Sequence, residues 1–486
     1  MNSERTVKNL MWRFFEKCGA QLVSFVVSII LARKLGPDAY GTVALVTVFT
    51  TILTVFIDSG LGVSLIQKKD ADNLDFSSVF YFNIVMCTTL YLIMFFCAPL
   101  IANFYEKPEL TAVIRVLCLT LVISGVRNIQ QSYISKNLLF KKFFVVTISA
   151  TIISGIVGII MVYQNFGVWA LVAQTLMNQL VGTIILWITV KWRPIFKFSF
   201  SRLKGLFSYG WKLLVSGLLD TIYKEVRQLI IGKKYTSTDL GFYNKGQQFP
   251  NLIIVNINAS IDSVLLPTMA RVQDNKEDVK RMTRRAIKTS SFILWPAMVG
   301  LAVCATPLVK ILLTDAWIQC VPYLQIFCFT SAFYPIHTAN LNAIKAMGRS
   351  DMFLKLEIIK KTIGVIAILV SMWYGVFWIA FSLLFTTVIS SFVNAYPNKK
   401  LMNYSYFEQV KDMLPAIVLS VIMGAIVYLV LFIELSPILT LAIQVPLGVV
   451  IYFGIAYLLK FESLIYVFNT IKSVLKRRKN TVEQKD

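Results

Sequence analysis

Residues 413–434 read MLPAIVLSVIMGAIVYLVLFIE, a run in which the only charged residue, Glu434, comes last. A helix that crosses a bilayer needs about 20 mainly apolar residues, and a helix satisfies its own backbone hydrogen bonds in lipid. The run therefore predicts a transmembrane helix. Its residues are continuously apolar and do not alternate with polar ones, which excludes the strand pattern of a membrane β-barrel.

Similar apolar runs extend over almost the whole sequence, in which AVILMFWYC residues make up 57% and charged residues 15%. Soluble proteins carry about 25% charged residues, so this composition excludes a soluble fold, and the apolar content excludes a disordered chain. The sequence predicts an all-α polytopic membrane protein with 14 transmembrane helices. The predicted spans are 10–32, 40–66, 77–101, 110–131, 143–163, 167–190, 205–231, 246–269, 286–313, 317–340, 352–374, 376–396, 413–434 and 438–460.

Lysine and arginine are distributed unevenly between alternate loops. With the N-terminus in the cytoplasm, the inner segments hold 36 of the 48 basic residues and the outer segments hold 7. Cytoplasmic loops are enriched in these residues, so both termini are predicted to be cytoplasmic. The net charge of +23 is explained by these loops and not by nucleic acid. The basic tail at 476–479 is expected to lie against anionic lipid.

The cysteines and the single histidine give no metal-site pattern. The seven cysteines lie in or beside apolar runs and form no CxxC pair. His337 lies in an apolar run, which is more typical of a packed side chain than of a catalyst. The sequence also has no GxxxxGK[ST] motif for nucleotide binding. We expect no metal, no cofactor and no catalytic residue, and we expect the energy to come from an ion gradient or from substrate flux.

The two halves of the sequence repeat each other. Span 7 aligns with span 1 at an offset of 199, and LGPDAYG at 35–41 matches STDLGFY at 237–243 at an offset near 200. An even number of spans separates the equivalents, which predicts a parallel repeat about an axis along the membrane normal. The predicted domains are an N-lobe at 1–200 (spans 1–6), a C-lobe at 201–405 (spans 7–12), and an appended helix pair with the basic tail at 406–486.

Polar residues recur on one face of spans 1 and 7, at matching positions within an arc of about 80°. A charged side chain at the centre of a membrane helix costs roughly 2.5–3.5 kcal/mol, so these faces are expected to meet protein or water. We interpret them as the lining of one aqueous cavity. The candidate substrate-binding residues are Arg13, Lys17 and Gln21 in span 1 and Lys212, Asp220, Tyr223, Lys224 and Arg227 in span 7.

The polar residues of spans 1 and 7 also have an alternative explanation that requires no ligand. Long basic side chains near helix ends, such as Arg227, reach the interface by snorkelling. For Asp220, the alternative is an ion pair with Lys224 one turn later. The predominance of basic residues, to which Arg115 and Arg127 in span 4 add, favours a phosphate or diphosphate ligand over a cation.

Two acidic residues on matching faces of spans 2 and 8 are candidates for ion coupling. Asp58 follows three threonines on one face of span 2, and Asp262 follows two asparagines on one face of span 8. Helix capping or ion pairing near the cytoplasmic ends is the alternative role for both.

Several short motifs resemble a known family. They are the turn Leu35-Gly36-Pro37 … Tyr40-Gly41, SYGWKLL at 208–214, and DLGFY at 239–243 followed by QQFP at 247–250. With fourteen spans, these motifs resemble the polysaccharide-transporter branch of the MOP superfamily, which also contains MATE drug exporters and the lipid II flippase. The likeness extends over nearly the whole chain and is strongest to exporters of the Wzx and WzxC type.

The resemblance implies a flippase of the bacterial inner membrane and no enzymatic activity. Its substrate would be an undecaprenyl-diphosphate-linked oligosaccharide, the unit of an O-antigen, capsule or exopolysaccharide, moved to the outer leaflet by alternating access. It also implies H⁺ or Na⁺ coupling, contact with membrane lipids, and partners among glycan polymerases and export proteins. The alternatives are a multidrug exporter of the same superfamily, whose cavity should be acidic, and a membrane-embedded glycan-modifying enzyme.

Overall fold

A computed structural model of the chain describes the backbone of residues 3–58 and 61–466. Side chains are described for 18–57, 61–207, 210–255, 257, 261 and 265–466. The described residues are mainly helical and contain no strand, which confirms the all-helical fold class. The α-helices are α1 (Ser3–Asp58), α2 (Leu61–Gln67), α3 (Asn73–Phe104), α4 (Leu110–Leu117), α5 (Leu119–Lys136), α6 (Phe140–Tyr163), α7 (Val168–Thr189), α8 (Phe200–Lys234), α9 (Ser237–Ala270), α10 (Lys276–Val303), α11 (Ala305–Leu312), α12 (Val321–Ala332), α13 (Tyr334–Ala346), α14 (Ser350–Ser371), α15 (Val376–Met402), α16 (Tyr406–Leu429) and α17 (Pro437–Leu458).

Two short 3₁₀ helices complete the secondary structure, Asp315–Cys320 before α12 and Val430–Ile433 after α16. The chain forms two compact units, Met1–Asn244 and Lys245–Asp486. Predicted spans 1 and 7 both belong to the first unit. The predicted lobe boundaries after residues 200 and 405 stay a prediction.

The first unit is held together by close helix contacts at glycines. A Cβ on Gly155 of α6 would lie 2.5 Å from Cγ2 of Val27, and one on Gly158 would lie 3.5 Å from Cδ1 of Leu31. Small residues let helix backbones approach closely in a membrane, where packing rather than water exclusion drives association. The first half of α1 is therefore fixed against α6 along its buried side.

Helix α1 is two helices joined at a break. Gly36 has a φ of 69°, in the left-handed region that favours glycine, and Pro37 begins the second half without a backbone N–H. The second half begins beside the start of α9, where a Cβ on Gly41 would lie 1.7 Å from the carbonyl oxygen of Ser237. The reverse contact is equally tight, because a Cβ on Gly241 would lie 2.1 Å from the carbonyl oxygen of Pro37.

In the second unit, buried amides connect three helices. Asn340 of α13 donates to Oε1 of Gln409 in α16 at 2.6 Å, and Asn398 of α15 donates to Oδ1 of Asn340 at 2.5 Å. All three side chains are fully buried. A buried polar network of this kind fixes the helices in one register, because each broken bond would leave an unpaired group in an apolar medium.

Ten stretches of the described chain are long and apolar enough to cross a membrane, which agrees with the predicted membrane protein. One of them, Cys18–Gln67, contains predicted spans 1 and 2 together. Helices α8, α9 and α14, which correspond to spans 7, 8 and 11, are not among the ten. The number of fourteen therefore stays a prediction.

Helix α14 changes the reading of two basic residues. The count of 36 inner basic residues includes Lys360 and Lys361, although the predicted span 352–374 contains both. The structure places both in the middle of α14, so they are not loop residues, and the helix begins at Ser350, two residues before the predicted span.

Candidate functional site

The candidate polar face of span 7 lies on α8, and its residues differ in exposure. Lys212 is exposed, and Tyr223 is partly buried. Asp220 and Lys224 form an ion pair with an Nζ–Oδ2 distance of 2.7 Å, and their side chains are 41% and 67% exposed. This is the intrahelical pair that the spacing allowed as an alternative. It satisfies both charges locally and leaves both on an accessible face.

Arg227 differs from the other charged residues of this face because it is 4% exposed. Neither its Nε nor its Nη2 has a hydrogen-bond partner. The guanidinium carbon lies 6.0 Å from the centre of the Tyr223 ring, and Tyr243 is within electrostatic range. A snorkelling arginine exposes its head group to the interface, so the snorkelling explanation is wrong for Arg227.

The residues of span 1 are only partly described. Gln21 is partly buried in the first half of α1, whereas the side chains of Arg13 and Lys17 lie outside the described residues. The first half of α1 and α8 belong to the same compact unit. A shared cavity lined by the two helices stays a prediction.

The candidate ion-coupling residues Asp58 and Asp262 also lie outside the residues whose side chains are described. On the second half of α1, the threonines that precede Asp58 bond to their own helix. The hydroxyl of Thr47 donates to the carbonyl of Val43, and that of Thr54 donates to the carbonyl of Thr50. These hydroxyls are therefore engaged without any ligand.

The two basic residues of span 4 have protein partners in the first unit. Arg115 donates from Nε to the carbonyl of Phe95 at 3.2 Å and lies over the same ring at 4.3 Å. Arg127 donates from Nη1 to Oε1 of Gln179 at 2.7 Å. Both guanidiniums therefore contribute to packing within the unit, and the expectation that they add to a cationic cavity loses its support.

A second set of ionisable residues was missed as a site by the sequence reasoning. In α14, Lys360 and Glu357 form an ion pair of 2.5 Å, with side chains 14% and 27% exposed. On the neighbouring α13, Nδ1 of His337 is 3.0 Å from Nδ2 of Asn394 in α15. The detectable signal was an acid–base pair at i, i+3 inside the predicted span 352–374.

Ion pairs hold the start of α3 to the start of α8. Asp72 caps α3 by accepting from the backbone N–H of Asp75, and it also pairs with Arg202 of α8 at 2.6 Å. The pKa of Asp72 lies below its usual value, chiefly because of the Asp75 N–H bond and further because of Arg202. Lys68 pairs with the fully buried Asp75 at 2.6 Å.

Among the described residues, no group of three or more His, Cys, Asp or Glu side chains is arranged to hold a metal ion.

Comparison with known proteins places this architecture in a family. The chain is 24% identical to the teichuronic acid biosynthesis protein TuaB of Bacillus subtilis (strain 168) over 62% of this chain and 63% of TuaB. It is 20% identical to the lipopolysaccharide biosynthesis protein WzxC of Escherichia coli (strain K12), over 87% of this chain and 88% of WzxC.

Among solved structures, the lipid II flippase MurJ in an inward closed conformation superposes with a TM-score of 0.74. The match covers 94% of this chain and 100% of MurJ at 16% identity, which establishes a shared fold. The family model described as "Polysaccharide biosynthesis protein" matches residues 30–322. Because that match takes in more than half of the sequence, the chain belongs to the polysaccharide biosynthesis protein family.

Proposed function

We propose that this protein is a flippase that moves an undecaprenyl-diphosphate-linked oligosaccharide from the inner to the outer leaflet of the bacterial inner membrane. The family match, the transport and biosynthesis names of relatives such as WzxC, and the MurJ-like fold support this function. The polar face of α8 and the first half of α1 line the substrate cavity, which opens to each side in turn. Fourteen spans in a parallel repeat, with both termini cytoplasmic, provide the framework.

The observation that carries the proposal is the buried guanidinium of Arg227. A charge taken out of water is strongly unfavourable unless it is paired, and here Nε and Nη2 have no hydrogen-bond partner. A diphosphate supplies what is missing, since a guanidinium holds phosphate oxygens through two parallel N–H bonds. Arg227 therefore binds the diphosphate of the substrate in a state of the transport cycle that the substrate stabilises.

The other candidate residues have supporting roles in this scheme. Lys212 and, from span 1, Arg13 and Lys17 add positive charge along the path of the diphosphate. Gln21 and Tyr223 donate hydrogen bonds to the first sugar or to phosphate oxygens. The Asp220–Lys224 pair keeps the accessible face of α8 hydrated without attracting cations, which argues against an exporter of cationic drugs.

The test is a set of substitutions at Arg227. Arg227→Ala should abolish surface glycan in a strain that lacks the native gene, because it removes the bidentate phosphate contact. Arg227→Lys should retain partial export, since an ammonium binds phosphate as a point charge. The matched control is Lys234→Ala, an exposed basic residue at the end of the same helix. Surface glycan is measured per amount of membrane protein, and wild-type export by Arg227→Ala would refute the role.

A further inference from the structure

Helix α14 lies within the membrane, although it is not among the ten stretches that are apolar enough by sequence to cross one. It is joined to α15 by the short turn 372–375, and such turns connect antiparallel neighbours. Leu356 near its start packs with Leu401 near the end of α15, as an antiparallel pair requires. Since α15 is long and apolar enough to span the membrane, α14 must run through the same slab.

The ion pair of α14 therefore lies deep in the membrane. At 1.5 Å per residue, Glu357 and Lys360 lie roughly 10 and 15 Å from the helix start, within a hydrocarbon core of about 30 Å. Their separation is 2.5 Å, and neither side chain is more than 27% exposed. Ionisable residues at such depth are rare because their insertion is costly, and where they persist they commonly serve ion pathways or proton relays.

The helices packed against α14 add no second carboxylate to this ion pair. Helices α13 and α15, both fully described, contain no acidic residue, so Glu357 is the only carboxylate near the Lys360 ammonium on these three helices. Lys360 is within electrostatic range of the imidazole of His337, which itself contacts Asn394. The other charged or titratable groups on the packed elements and on α14 are Tyr334, Lys345, Tyr396, Lys399 and Lys400 and, on α14, Asp351, Lys355 and Lys361.

Most of these other groups are engaged or distant. The Lys345 ammonium lies over the Phe353 ring at 4.7 Å, near the start of α14. Lys399 and Lys400 are exposed in the last turn of α15, and Asp351 pairs with Arg349 at 3.0 Å. His337 and Lys361, the residue after Lys360, are both partly buried, and Asn394 is fully buried.

We propose that Glu357 is the proton-binding carboxylate that couples transport to a proton gradient, with Lys360 and His337 as the groups that sense its charge. The proposal rests on the proposed function for its coupling step. One proton added to a Glu357 oxygen converts the neutral ion pair into a site of net charge +1. Lys360 then lacks its counter-ion beside the imidazole, so the packing of α14 against α13 is destabilised and the other conformation becomes more populated.

The chemistry of the cluster favours a proton over a sodium ion. A hard cation requires several oxygen ligands, whereas this cluster offers one carboxylate that an ammonium already occupies. The ammonium would repel a second cation, but a proton removes the negative charge without needing further ligands. The competing explanation is an ion pair that only stabilises the helix, and the test must separate the two.

The decisive variant replaces the whole pair by neutral residues, Glu357→Gln with Lys360→Met. Replacing both partners of a buried ion pair is commonly neutral or stabilising, whereas removing one leaves an unpaired charge. The double variant should therefore reach wild-type amounts and unfold at a temperature no lower than wild type. Its export of surface glycan should be lost, or should no longer respond to external pH as wild-type export does. Wild-type export with an unchanged pH response would overturn the coupling role.

An infrared measurement tests proton binding independently of the substrate. The full chain in lipid nanodiscs is titrated with acid, and the C=O band of a buried protonated carboxyl group is followed. The band should be stronger in wild type and in the control Asp351→Asn than in the double variant, because other buried carboxyl groups such as Asp75 contribute equally to all three. If the double variant gives a band as strong as that of wild type, Glu357 is not the proton site. A strain in which wild type exports no glycan would refute the proposed function and leave this result standing.

Discussion

The absence of a side chain at Gly41 and at Gly241 allows two helix starts to approach each other closely. The two residues occupy equivalent places in the sequence repeat, at an offset of 200, and each lies against the backbone of the segment that begins the other helix. Ser237 and Pro37 provide the opposing carbonyl groups. The repeat therefore brings its own equivalent positions into contact, and only glycine allows the two helix starts to approach so closely.

Gly41→Ala should destabilise the first unit. Its new Cβ would lie 1.7 Å from a backbone oxygen that cannot move alone, and overpacking of this kind costs about 1–3 kcal/mol. Gly205→Ala in α8 is the matched control, because nothing lies within 4 Å of its Cβ and alanine favours a helix by up to about 1 kcal/mol. Thermal unfolding of the purified protein should place the first variant below wild type and the second at or above it. An unchanged melting temperature for Gly41→Ala would contradict the contact.

At the scale of elements, the starts of α3, α10 and α16 are fixed by side-chain caps. Asp72 and Ser405 form capping boxes with residues three positions later, and Asn275 accepts from two backbone N–H groups of α10. A cap satisfies N–H groups that have no partner inside the helix. These helices consequently begin at defined residues even where polar loops join them.

The cap of α3 predicts an acid-dependent loss of stability. The folded pKa of Asp72 is lowered, so its ionised form stabilises the fold above the unfolded pKa, and this contribution disappears as pH falls through the folded value. Asp72→Ala should lower the unfolding temperature at neutral pH, by the equivalent of roughly 1 kcal/mol for a lost cap. The difference from wild type should shrink in acid. The exposed neighbour Asp70→Ala is the control, and an equal effect in both variants would exclude the cap as the cause.

At the scale of the whole molecule, backbone geometry repeats between the halves in the way that the sequence repeat predicts. Leu138 after α5 and Gly348 after α13 both have a positive φ, of 56° and 70°. Gly167 and Gly375, which precede α7 and α15, also share it, with φ values of 56° and 119°. The offsets of 210 and 208 are close to each other and to the offset of the sequence repeat, so these two turns recur at similar positions in both halves.

The topology follows from this framework and is directly testable. A phosphatase reporter fused after Asn165 should be active, because that turn is expected outside the cell. A fluorescent protein fused at Lys485 should fluoresce, because the C-terminus is expected in the cytoplasm. The reciprocal fusions serve as controls. An extracytoplasmic C-terminus would overturn the number of fourteen spans.

The sequence by itself determined that the protein lies in a membrane, that its structure is helical, and where most of the helices are. Long apolar runs have one stable conformation in lipid, the helix, so 413–434 predicted α16 without knowledge of any neighbour. The repeat and the short motifs likewise indicated the family, because they are local patterns. Averaged hydropathy does not identify α8 and α14 as membrane helices, because both contain several charged residues.

Only the tertiary structure decided which polar groups are enclosed. The spacing of a helix assigns a residue to a face, but the identity of the neighbouring helix determines whether that face meets lipid, water or protein. Arg227 and the accessible pair of Asp220 and Lys224 were one polar face in the sequence, and packing buried the first while leaving the others exposed. Glu357 and Lys360 lie inside the predicted span 352–374, but only the structure shows that they form an ion pair whose side chains are largely buried.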